Sequence, residues 1–144
     1  MKSINIEEYI REHQGEFFGS NGATPEAISS SIARGVLLLG ATKVLIEKHN
    51  DCHFVCANLD WLAASFFDGV NEENIFDNIW SFPQEGINCH RSEIMARVFS
   101  SNMYTYKSSE LTTKFGKAVE TLELSENMKQ FGSWKRTIAF KFKK

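Results

Sequence analysis

Trp134-Lys135-Arg136-Thr137-Ile138-Ala139-Phe140-Lys141-Phe142-Lys143 is the stretch whose reading decides the fold. Trp134, Arg136, Ile138, Phe140 and Phe142 alternate with Lys135, Thr137, Ala139, Lys141 and Lys143. A period of two places successive side chains on opposite faces of a strand, so one face is mostly apolar and the other largely lysine. This is the strongest strand signal in the chain. Lysines on the outer face of a terminal strand guard it against edge-to-edge pairing, and that is the expectation here. The competing use of the same lysines, a row of phosphate contacts, is disfavoured because no glycine-rich arginine segment or RNP-like aromatic motif accompanies them.

Working back from that strand, Met103 to Lys107 and Glu110 to Phe115 alternate like a hairpin. Leu111, Phe115, Val119 and Leu122 also fit a helix, and periodicity alone does not separate the two. Lys43–Glu47 and His53–Ala57 are β-prone runs joined by the turn formers His49, Asn50 and Asp51, which predicts a second hairpin. Helices are expected at 5–17, from the spacing of Ile6, Tyr9, Ile10, His13 and Phe17, and after Thr24-Pro25-Glu26. Threonine there can cap, proline suits the first helical position, and glutamate favours the positive dipole end. Ile28, Ile32, Val36 and Leu39 form the buried face of this second helix, and Gly40 stops it. Short helices are predicted around 61–67 and 71–80, and a clearer one at 89–101 with Ile94, Met95, Val98 and Phe99 on its apolar face. The sum is an α+β chain, residues 1–144 forming a single domain with helices packed on one face of a small antiparallel sheet of three to five strands.

The composition bounds function more than it identifies it. Of 144 residues, 42% are hydrophobic and 24% charged, which excludes a disordered tail and a strongly basic nucleic-acid binder. The net charge of −2 conceals an asymmetry. Residues 1–128 hold eighteen acidic and ten basic groups, a net of −8, whereas 129–144 hold six basic groups and no acid. Three cysteines, Cys52, Cys56 and Cys89, cannot all pair within one chain, and residues 1–8 carry charge where a signal peptide needs an apolar run. No apolar stretch approaches the roughly 18 residues of a membrane span, so a cytoplasmic setting without membrane attachment is expected.

Chemistry-bearing motifs are sparse. His49, Cys52, His53, Cys56, Cys89 and His90 suggest zinc at first sight, but Cys52 and Cys56 on one strand lie about 13 Å apart and no CxxC pair is present. No metal or cofactor is therefore expected. Cys89-His90 falls at the start of the predicted 89–101 helix, where the dipole and free N–H groups favour a thiolate. With His90 or His53 as base and Asp60 or Glu93 as orienting carboxylate, this gives one alternative: a Cys–His nucleophilic enzyme for acyl transfer or thiol chemistry.

The leading expectation is a non-enzymatic interaction or regulatory protein. Six of the eighteen aromatics lie between Trp61 and Phe82, and the carboxylates Asp68, Glu72, Glu73 and Asp77 are interleaved with them. Trp61, Phe66, Phe76 and Trp80 with those four acids form a candidate surface for a basic protein partner, or for a second copy of the chain. Glu7, Glu8, Glu12 and Glu16 make a second acidic group on the first helix. The same rings could instead fill the core, or wall a pocket for a small molecule, which is the remaining alternative.

Overall fold

Why the chain folds as it does is clearest at its helix starts. In the computed structural model, Thr24 accepts the Ala27 amide on its Oγ1 at 3.1 Å, with Pro25 at the first helical position. Asn5 Oδ1 likewise receives the amides of Glu7 and Glu8. The structure describes residues 5–49, 51–63, 74–77, 79, 80, 82, 85, 86, 89–107, 110–116 and 134–143. Within them the elements are α1 (Ile6–Glu12), α2 (Gln14–Phe18), α3 (Pro25–Leu38), β1 (Val44–His49), β2 (Cys52–Ala57), α4 (Glu93–Val98), β3 (Ser100–Lys107), β4 (Glu110–Phe115) and β5 (Arg136–Phe142).

The five strands form one antiparallel sheet in the order β1-β2-β5-β3-β4. α3 packs over β1 and β2, and α4 over β3 and β5. Ile28, Ile32 and Val36 of α3, Ile94 and Val98 of α4 and Ile10 of α1 meet Val55, Ala57, Met103, Ile138 and Phe140 of the sheet in the main core. The opposite face buries a second cluster, Cys52, Phe54, Cys56, Tyr104, Tyr106 and Ala139, to which no described helix contributes. The described helices thus lie on one face of the sheet, as expected for this α+β arrangement.

Several expectations need correction. The 134–143 strand is the centre of the sheet, bonded to β2 on one side and β3 on the other, and not a lysine-guarded edge. Its second face is not solvated, because the small side chains of Thr137 and Ala139 are 0% exposed beneath the second cluster. The first predicted helix breaks at His13, whose ring Nδ1 lies 2.8 Å from the Tyr9 carbonyl while the ring stacks on Tyr9. The ambiguous 103–124 region is a hairpin over its described part, β3 and β4.

The predicted 71–80 helix is absent from its described residues: 74–77 form a turn, and 79 and 80 have no regular secondary structure. There the Arg91 amide donates to the Trp80 carbonyl and the Phe82 amide to the Cys89 carbonyl, both at 2.8 Å. That pairing also holds 89–91 out of a helix, so α4 begins at Glu93 and not at Cys89. At 61–63 only a turn is found, and the remainder of the predicted 61–67 helix lies outside the described residues.

Candidate functional site

Arg97, on the last turn of α4, gathers a set of charged contacts. Its Nη1 donates to Glu7 Oε1 at 2.6 Å and its Nε to the Phe76 carbonyl at 2.6 Å, with Asp77 Oδ1 at 4.0 Å. α1 presents Glu7 because Ile10, one turn on, is buried in the core and fixes the helix rotation. Glu7 in turn pairs with Arg11 at 3.6 Å, and Arg11 donates to the Val98 carbonyl. One partly buried guanidinium therefore ties three segments together: α1, α4 and the 74–77 turn.

The electrostatic result is a merger. The acidic group on the first helix and the one that includes Asp77, far apart in sequence, meet at Arg97. Glu8, Glu12, Glu16 and Asp77 are exposed. Glu7 and Asp77 are the carboxylates placed against Arg97, and Glu7 also pairs with Arg11. Trp80 is half-buried beside them, its Nε1 donating to the Asn74 carbonyl at 3.0 Å, so its indole edges the same turn.

Of the other aromatic candidates, Trp61 is 0% and Phe76 3% exposed, both in the main core. They cannot touch a partner, which corrects their assignment to a recognition surface. Large rings are the most economical way to fill a small core, and that use has taken them. Phe66, Asp68, Glu72 and Glu73 lie outside the described residues.

Asp60 and His53 of the nucleophilic alternative have other partners. Asp60 pairs with Lys107 at 2.9 Å, lies 3.8 Å from Arg136 and accepts the Leu62 amide, so it balances cations of β3 and β5. His53 stacks on Phe140 with ring centroids 5.5 Å apart, and burial holds its pKa below the usual 6.5. His90 is exposed against the edge of Phe17, and Cys89 is half-buried with its amide bonded to the Gly86 carbonyl. Cys89 also lacks the helix start that was to activate it. Cys52 and Cys56 share one buried face, and burial pushes both thiols up to about 12, leaving them protonated and inert. Among the described residues no three His, Cys, Asp or Glu side chains are placed to hold a metal ion, and no helix is long and apolar enough to cross a membrane.

Arg97 is the residue the sequence reading missed. Its salt bridge spans 90 residues, and only its place on a predicted helix in an acid-rich chain hinted at a pairing role. No protein-family model matches the chain, and comparison with curated proteins and with solved structures finds no similar one.

Proposed function

We propose that the protein is a non-catalytic interaction module that docks a basic segment of another protein on the acidic surface around Arg97. The observation that carries this reading is the convergence of Glu7 and Asp77 on one partly buried guanidinium, which brings together one carboxylate from each acidic stretch of the sequence. Such a field raises association rates with a cationic partner and falls away with added salt, the Debye length being about 10 Å at 0.1 M. Trp80 supplies a half-buried ring at the rim, the residue type that anchors interfaces.

The test uses a fluorescent octalysine peptide, titrated at low and high salt. Glu8→Lys and Asp77→Lys are expected to weaken binding together by about tenfold, each exposed charge contributing about 0.2–1 kcal/mol and reversal doubling the loss. Asp51→Lys changes net charge equally on an exposed residue beyond the end of β1 and should leave affinity near the parent value. Equal losses for Asp77→Lys and Asp51→Lys would show that only total charge matters, and the proposal would fail.

A further inference from the structure

A cleft of about 290 Å³ opens between the first turns of α3 and the β1–β2 hairpin, far in sequence from the acidic surface and independent of it. Its walls are Glu26, Ser29 and Ser30 of α3, with Ile46, Lys48 and His53 of the hairpin, and the β1 chain at Glu47. The strand period explains this set. Lys48 pairs across to His53 and Ile46 to Val55, so all four side chains share the helix side of the sheet. Glu47 projects to the other side, where it bonds His49 at 2.9 Å.

Three features distinguish the cleft from an ordinary groove. Ser29 is 1% exposed, and its Oγ has no hydrogen-bond partner. Leaving a buried hydroxyl unpaired costs stability, and native structures seldom retain one without a use. Glu26 and Lys48 line the cleft together with His53, so the cleft presents one negative and one positive side chain from facing elements, with Asp51 a further acid near the imidazole. Neither forms an ion pair among the described residues. His53 itself is kept neutral by burial, so Lys48 is the only cation among the cleft's side chains. Because Ser29 Oγ bonds nothing, His53 does not serve it as a base, and the arrangement suits binding and not nucleophilic attack.

We propose that this cleft binds a small zwitterion of the free amino-acid class. Its ammonium group meets Glu26, its carboxylate meets Lys48, and a polar atom reaches Ser29 Oγ. Ile46, 45% exposed at the sheet edge, receives an aliphatic side chain. The volume lies at the small end of ligand sites, which run from roughly 300 to 1,000 Å³, and so fits a metabolite of a few heavy atoms.

The experiment is an NMR titration with L-leucine and its two halves, isoamylamine, which lacks the carboxylate, and 4-methylpentanoate, which lacks the amine. Leucine should shift the amides of Ser30, Ile46 and His53 saturably, with each half-ligand binding at least about tenfold more weakly. Glu26→Gln and Lys48→Gln should each reduce leucine to the affinity of the corresponding half-ligand. Ser29→Ala should weaken leucine while leaving the melting temperature of the free protein unchanged or raised, which separates a binding role from a folding one. No shift at about 10 mM leucine, equal binding of either half-ligand, or unchanged affinity in Ser29→Ala would overturn the proposal. None of these outcomes bears on the octalysine titration, so the two readings stand or fall separately.

Discussion

Replacing Glu93 by alanine should cost more stability than any other single polar change in the main core. Arg91 and Glu93 are 1% and 3% exposed, and the carboxylate receives Arg91 Nε on both oxygens at 3.1 Å and Nη2 at 2.7 Å. The guanidinium also sits 5.3 Å above the centre of the Phe82 ring. An arginine guanidinium stays charged inside a protein. Glu93→Ala therefore removes the carboxylate partner of a buried cation, a loss of about 3–5 kcal/mol against a total domain stability of about 5–15 kcal/mol. With a urea dependence of about 1.5 kcal/mol per molar, the unfolding midpoint should fall by about 2–3 M. The double variant Arg91→Met/Glu93→Leu removes both charges and keeps the volume, so it should recover most of the loss, because the pair repays little beyond its own desolvation. Urea denaturation followed by tryptophan fluorescence reads both. A midpoint for Glu93→Ala within about 0.5 M of the parent, or a double variant no better than the single one, would refute the reasoning.

Other outcomes follow from the same packing. Only Cys89 should react with a thiol reagent in the native protein near neutral pH, and all three cysteines in denaturant; reaction of Cys52 or Cys56 at native rates would contradict their burial. The raised thiols also set an alkaline limit. Above pH 9 the unfolded chain releases protons that the folded one retains until about 12, so stability should fall across that window. His53 has the opposite sign. Its folded pKa is depressed, so its contribution is present above 6.5 and lost as pH falls below it, and a His53→Gln variant should show a flatter acid limb in urea midpoints. Gly35→Ala places a Cβ 2.9 Å from Phe82 Cε2, and the ring is held beneath Arg91. The overlap, worth about 1–3 kcal/mol, should outweigh the gain in helix propensity and lower the melting temperature.

What the sequence disclosed is local. Thr24-Pro25-Glu26 marked the start of α3 to the residue, and the alternation of 134–143 assigned Ile138 and Phe140 to the helix side. A period of two tells faces apart but says nothing of neighbours. The same alternation fits an edge strand and a central one, and the small size of Thr137 and Ala139 was the overlooked sign that both faces are covered. Similarly, β2 is buried at all six positions, which a run of His-Phe-Val-Cys-Ala only hinted at. Aromatic density between Trp61 and Phe82 fits either a filled core or a recognition surface, and at Trp61, Phe76 and Phe82 it is core. Long-range pairings, such as Arg97 with Glu7 or Lys48 facing Glu26 across a cleft, depend on how α1, α3 and the hairpin are laid together, and no local pattern encodes that.

The acidic surface is the central functional claim, and mapping where a basic peptide lands tests it most directly. In an NMR titration with octalysine, the largest shifts should fall on the amides of Glu8, Glu12 and Asp77 and on the Trp80 indole, and should fade with salt. Shifts spread evenly over the exposed carboxylates, or centred on Asp51 and the β1–β2 turn, would contradict the account.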